Sequence, residues 1–443
     1  MKKITASILA ALVVMSMATG CKDKNTTTTD VRTSATTVAE TKQDDPSGPS
    51  DPDIPDRPSD PQQRTTNGIK MSETDIPSGY YDFAAQLTSY CAANGGDDNI
   101  MISPASAFLA MSMVEQATEG QTNQEIINAL LNGSTDEEFL EFSKLYSAYL
   151  EEDELQIANS FWMCEDYTGN RFLPDYIDVL TNDYNADIGS IKFDTEGEQT
   201  VNNWVSDHTH GKINDLIAPG DLSDLDQGVG VLVNAIAFDG SWDVAYENVI
   251  DQTFTDSNGN TSDVPMLIST EGIYIEGAGA TGFVKEYEGG KFAFMAMLPD
   301  DTEMNGNEFL ADLTAEEYME LWNSRSYTDV DTKMPKFESE YSTSLIDAFS
   351  SMGINIAFEG STEFTRMLEA PDLIKIAKAK QKTHIKVDEK GTQAEAATAI
   401  IVAVEGACEI TESHQVFCDR PFAYAIVDTS TGLPIFIGSV NAA

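Results

Sequence analysis

The stretch Val387-Asp388-Glu389-Lys390-Gly391-Thr392-Gln393-Ala394-Glu395-Ala396-Ala397-Thr398-Ala399-Ile400-Ile401-Val402-Ala403-Val404-Glu405-Gly406-Ala407-Cys408-Glu409-Ile410 decides the fold. From Ala396 to Val404 it holds no charge and no proline and is rich in β-branched residues. Such a segment pairs as a strand, and left exposed it aggregates. Alternate residues of a strand share a face. One face here carries Thr392, Ala394, Ala396, Thr398, Ile400 and Val402, all small or apolar; the other carries Gln393, Glu395, Ala397, Ala399, Ile401 and Ala403. The one charge and the one amide therefore fall on the same side, and the first face can be buried with only two hydroxyls to satisfy. On pattern alone this is an ordinary half-buried strand; the rest of the chain points further.

At the other end, Lys2 and Lys3 precede an apolar run from Ile8 to Met15, followed by Ala18-Thr19-Gly20-Cys21. A charged start, a short apolar core and small residues make a secretory signal over residues 1–20, too short to span a bilayer. The cysteine after the small residues resembles a bacterial lipoprotein signal, with Cys21 as the lipidated first residue; plain secretion with cleavage after Ala18 or Gly20 is the alternative. Residues 21–75 hold the threonine run Thr26–Thr29 and an Asp/Pro/Ser-rich stretch over 45–61. That composition cannot offset its ordering entropy and predicts a disordered tether. Roughly 45 such residues span about 40 Å. The expected location is extracytoplasmic, lipid-anchored at the bacterial cell membrane or surface.

Residues 76–443 show no second linker and no internal repeat, which predicts one domain. Seventy-four acidic against 26 basic side chains give a net charge of −48. No basic stripe is present for nucleic acid, and polyanions should be repelled. Cys91, Cys164, Cys408 and Cys418 fit no zinc spacing, so no metal and no cofactor are expected; Cys408 and Cys418 could pair or remain free.

The pattern predicts helices first and strands later. Ser103 is an N-cap with Pro104 in the first turn, Ala107, Phe108, Met111, Met113 and Val114 form the apolar face, and Gly120 is expected to end the helix. Thr122-Asn123-Gln124-Glu125 reads as a capping box before Ile126. Strands are expected at 155–163, 229–238, 292–298, 382–387, 422–428 and 434–440, and a helix at 344–352 closed by Gly353. The combination argues for α+β.

Several segments, in order, resemble the serpin family: Asn99 to Ser106, Gly120 to Ile126, Ala158 to Trp162, Val201 to Val205, Gly211 to Ile213, Leu232 to Ile236 with Trp242, and Val264 to Met266. Met295 to Pro299, Met334 to Phe337, the Glu389–Ala397 hinge, Arg420 to Phe422 and Pro434 to Gly438 complete the set. Two positions depart from the family: Gln381 stands where many members carry a sheet-opening histidine, and Glu395 interrupts the usual alanine run.

The resemblance implies a single domain with a large central β-sheet, N-terminal helices and an exposed reactive loop over about 389–419. It also implies a monomeric protease inhibitor with no catalytic residues. A serine protease would cut the loop, form an acyl-enzyme, and be trapped as the loop inserts from Thr392 onward. Glu389, Gly391, Thr392, Ala394, Ala396 and Ala397 would be the hinge; family spacing puts the cut between Val404 and Ile410, in the region Val404, Glu405, Gly406, Ala407 and Cys408. That window holds no Lys, Arg or aromatic residue, so its small residues fit an elastase-like pocket; a Glu-specific endopeptidase or a cysteine protease is the alternative target. An enzyme is disfavoured by having only His208, His210, His384 and His414 and no Gly-x-Ser-x-Gly elbow. His208 and His210 are read as a surface pair. A binding lipoprotein would leave the loop composition unexplained, and a non-inhibitory serpin would carry bulky or charged residues on the inserting face.

Overall fold

The computed structural model describes residues 68–443 except 153, 169–171, 226–228, 370, 372 and 393–412. Cys21 and the loop residues Ala394, Ala396, Ala397, Val404, Glu405, Gly406, Ala407 and Cys408 lie outside the described residues, as do the proposed signal and most of the tether.

Helices α1 (Ser78–Gly95), α2 (Pro104–Ala117), α3 (Gly120–Leu130) and α4 (Asp136–Tyr149) come first. Ser103 caps α2 by accepting from Ser106 N at 3.1 Å, and almost every residue of α2 is buried, as its apolar composition requires. Gly120 does not end this helix. The chain leaves it at Thr118, whose hydroxyl donates back to Val114 O and Glu115 O, and Gly120 opens α3 at φ +65°. Nor is Thr122 a cap. It lies inside α3, and its N–H and hydroxyl both donate to Glu363 Oε2, at 2.7 and 2.6 Å. A distant carboxylate caps the helix that a local box was expected to cap, a contact that no short-range pattern encodes.

The central sheet comprises β1 (Leu155–Cys164), β2 (Asp187–Ile191), β3 (Val229–Phe238), β4 (Gly240–Ser241), β5 (Phe337–Ser344), β6 (Lys375–Val387) and β7 (Gly391–Thr392). Its body runs β2-β1-β3-β6-β5, with β7 and β4 paired at its head. Helix α5 (Thr195–His208) precedes β3. Strand β5 has no counterpart among the expected strands: alternating Ser, Glu and Thr with half its residues exposed, it makes an edge strand of low hydrophobicity. The helix expected at 344–352 is the shorter Ile346–Ser351. A six-stranded and a four-stranded sheet complete the domain, giving the mixed α+β architecture expected from the pattern.

Strand parity sorts the side chains of the central sheet into two cores. Leu232, Ile236 and Phe238 of β3 join the large inner core with α2. Val231, Val233 and Ala235 face a second, outer core with Ala158, Trp162, Val201, Val205, Ile213, Leu216, Ile217 and Leu222. Strand β6 alternates likewise: Ala379, Ile385 and Val387 point inward, while Lys378, Lys380, Lys382, His384 and Lys386 share the outer face.

Candidate functional site

Two pairs of neighbours in this sheet run parallel: β1 with β2 near one edge, and the pair at its middle. β1 and β3 are antiparallel, as are β5 and β6, yet β3 and β6 pair in parallel from Val229↔Lys375 to Ala237↔His384. Parallel pairing is the weaker arrangement per residue. A further strand running antiparallel to both would convert this seam into two antiparallel ladders.

The head of the seam holds the start of such a strand. After β6 the chain turns at Asp388, where Asp388 N–H donates to Gly391 O at 2.9 Å, and returns as β7. Thr392 pairs with Val387 on one side and Gly240 on the other. Gly391 lies so close to β4 that a Cβ there would stand 2.2 Å from Gly240 O, a fit only glycine allows. Thr392 is fully buried and its hydroxyl meets Tyr287 Oη at 2.6 Å. Thr392, the residue from which the resemblance has the loop insert, is thus already paired in the sheet.

Trp242 fixes this turn. Its ring stacks on Tyr287 with centroids 4.5 Å apart. Its indole N–H donates to Asp388 O and its backbone N–H to Lys390 O, both at 2.9 Å. Lys336 Nζ lies 2.5 Å from Glu389 Oε2, and that hydrogen bond holds the Glu389 carboxyl below its usual range. The sequence marked Glu389, Gly391 and Thr392; Lys336, Tyr287 and Gly240 were missed because they meet the hinge only in three dimensions. The chain re-enters described structure in the strand His414–Phe417 of the four-stranded sheet, parallel to Val330–Pro335.

Lower on the seam, a polar row crosses three strands on the inner face. Asn159, Asn234 and Gln381 are in register on β1, β3 and β6. Gln381 Nε2 donates to Asn234 Oδ1 at 2.6 Å and to Ser103 O at 3.0 Å, and its Oε1 accepts from Ser103 N at 3.0 Å. Asn234 Nδ2 in turn donates to Ser106 O at 2.9 Å. The departure at position 381 is thus a fully bonded amide that ties β6 to β3 and to the cap of α2.

The histidines do not form the surface pair expected. His208 stacks on Trp204 at 4.1 Å and its Nδ1 lies 2.7 Å from Trp204 O, whereas His210 follows in a left-handed turn at φ +51°. Cys91 and Cys418 are buried free thiols, and burial pushes the Cys91 thiol up to about 12.

The centre of this sheet is thus a parallel pair of strands with a further short segment of chain already paired at its head. The chain belongs to the serpin family: residues 78–443 match the profile described as Serpin (serine protease inhibitor). It is similar to an uncharacterized serpin-like protein of Methanosarcina mazei, 28% identical over 86% of this chain and 90% of that protein. It is also 28% identical to the leukocyte elastase inhibitor of Homo sapiens, over 81% of this chain and 97% of the relative. Among solved structures it resembles the thermophilic serpin tengpin in its native state, with 32% identity, a TM-score of 0.73, and coverage of 84% of this chain and 96% of that one.

Proposed function

We propose that this protein inhibits an elastase-like serine protease as a suicide substrate, its cut loop entering the β3–β6 seam as a new strand. The observation that carries the proposal is the register at the head of the seam. Continued through an inserted loop, the Val387↔Thr392 pairing would set Ala394 opposite Ile385, Ala396 opposite Thr383, Thr398 opposite Gln381 and Ile400 opposite Ala379. Those partners on β6 all face inward, so the small face of the loop would meet the core and the lone polar match, Thr398, would meet Gln381. On the outer face Glu395 would lie opposite His384 with Lys382 and Lys386 diagonal to it, which gives the one loop charge a cationic neighbourhood.

The target class follows from the loop sequence. Small apolar residues occupy 402–404 and 407, and no Lys or Arg occurs between Gly391 and Asp419. The likeness to a protein named leukocyte elastase inhibitor supports the same class. A net charge of −48 would speed encounter with a cationic protease at low salt. Lipidation at Cys21 with a tether over 21–75 would hold the inhibitor at the cell surface, facing extracellular proteases.

Incubation with elastase-, chymotrypsin- and trypsin-like enzymes, followed by a denaturing gel, tests the proposal. An SDS-resistant complex forming fastest with the elastase-like enzyme, and a released fragment beginning after Val404, Glu405 or Ala407 by mass spectrometry, is expected. Cleavage with full recovery of protease activity in every case rules out inhibition, and faster trapping of trypsin rules out the target class.

A further inference from the structure

The outer face of the seam is crossed by residues 209–225, the segment between α5 and β3. Its apolar side chains Ile213, Leu216, Ile217 and Leu222 are buried against α5, β1 and β3, and among the described residues that core has no member from β6. Polar bonds anchor it on the same side. Asn202 exchanges two hydrogen bonds with Ile217, and Glu198 Oε1 accepts from Gly220 N and Leu222 N. Lys212 donates to Gln156 of β1 at 3.1 Å and to Asp239 at 2.7 Å. The segment therefore travels with α5 and the β1–β3 half of the sheet.

It meets the other half through ion pairs. Asp221 bridges two lysines of β6, with Lys378 Nζ at 2.5 Å from Oδ1 and Lys380 Nζ on Oδ2. Asp215 pairs with Lys382, which also meets Glu340 of β5 at 3.2 Å. Asp221 and the lysines are less than a quarter exposed, although Asp215 itself is 80% exposed. Burial raises the Asp221 pKa, but the hydrogen bonds from Lys378 and Lys380 outweigh it and hold the carboxyl at about 2. In a chain this acidic, β6 carries five lysines, and three of them, Lys378, Lys380 and Lys382, meet this segment. A strand entering the seam would move β6 from β3 by about 4.8 Å, the spacing of paired strands. All three Asp–Lys contacts would be lost in that step, whereas the apolar anchors would not be disturbed.

We infer that residues 212–225 form an ionic clasp across the seam, in which Asp215 and Asp221 set how readily the sheet opens and make opening respond to ionic strength. The inference rests on the seam being the slot for the cut loop, but its test does not require a protease. Amide hydrogen exchange is followed by mass spectrometry on the whole protein at about 0.05 M and about 1 M NaCl, across which the exposed Asp215 pair loses most of its attraction and the partly buried Asp221 pairs lose a smaller part. At low salt the Asp215→Asn/Asp221→Asn double variant should exchange its β3 and β6 seam amides about fivefold to tenfold faster than wild type, as expected for several partly buried pairs. High salt should bring the wild type part of the way toward the variant and leave the variant unchanged. Asp221→Glu should keep the wild-type behaviour at low salt, and Lys378→Gln/Lys380→Gln should reproduce the Asp221 loss from the opposite side.

Seam exchange that ignores both salt and the substitutions overturns the clasp. So does a rise shared equally by the Phe422–Asp428 strand, which would report general destabilisation. A salt-sensitive seam in a protein that traps no protease would leave the clasp standing and remove the inhibitor reading; trapping with a salt-indifferent seam would do the reverse.

Discussion

Gln381→Ala probes the seam from its inner side. Gln381 is 1% exposed and makes the three hydrogen bonds that link β6 to Asn234 and to Ser103. Truncation removes all three and leaves the buried Ser103 N–H without its acceptor. At about 1 kcal/mol for each net bond, and about 1–3 kcal/mol for an orphaned buried donor, the native state should lose about 3 kcal/mol or somewhat more. A domain of this length unfolds with an entropy near 0.8 kcal/mol/K at about 2.1 cal/mol/K per residue, so the melting midpoint should fall by about 4 °C. Only the bond to Asn234 joins the two strands of the seam. Its loss, about 1 kcal/mol, should also speed spontaneous conversion to a loop-inserted form about fivefold. Calorimetry gives the first quantity; urea-gradient gels sampled over time a few degrees below the midpoint give the second. Tyr80→Phe is the control, since it removes the buried Tyr80–Tyr146 hydrogen bond away from the seam. If Gln381→Ala melts with the wild type, or converts no faster than Tyr80→Phe, the polar row does not hold the seam shut.

Ala394→Arg should leave the uncut protein's melting midpoint unchanged but force an unpaired charge toward Ile385 during insertion, at a cost of several kcal/mol. The protease should then be released rather than trapped, and an unchanged stoichiometry of inhibition would show that the assigned parity is wrong. Cleavage of the wild-type loop should raise the melting midpoint by about 10 °C or more, because the nine pairs of the seam are replaced by two ladders of similar length at about 1 kcal/mol per added bond; an unshifted midpoint would mean that no strand was added. Burial raises the pKa of Glu115 to about 7, against hydrogen bonds from Asn123 and Gln116 and the nearby Arg366 guanidinium. The native state thus binds more protons than the unfolded chain between pH about 4.5 and about 7, so stability falls as pH rises through that window. Glu115→Gln should flatten that slope in denaturant titrations, and an unaltered slope would place the titration elsewhere.

Strands that are mostly apolar were legible in the sequence: Val229–Phe238, Phe422–Asp428 and Pro434–Val440 lie where their composition places them. Strand β5 was not, because an edge strand of alternating Ser and Glu has the composition of a loop until a partner satisfies its backbone. Strand β6 was read only over its last six residues, since Lys at alternate positions hides a strand whose inner face is Ala, Gln, Thr and Ile. At the site, Gly391 and Thr392 could be found locally. The Glu363 cap on α3 and the Asp221–Lys378–Lys380 bridge could not, because each joins residues more than 150 positions apart.

The stacking of Trp242 on Tyr287 at the head of the seam has an optical consequence. Trp162 and Trp204 form a second ring pair, with centroids 6.0 Å apart, beneath the segment that crosses the seam. Three of the four tryptophans therefore sit where the sheet would rearrange if the proposed strand entered, and the hydrogen bond from the Trp242 indole to Asp388 O ties one of them to the turn that precedes the loop. Intrinsic emission, followed in stopped flow without any attached dye, would then be a clock for the proposed strand entry, and a Trp242→Phe variant would divide its signal between the head of the seam and its outer face.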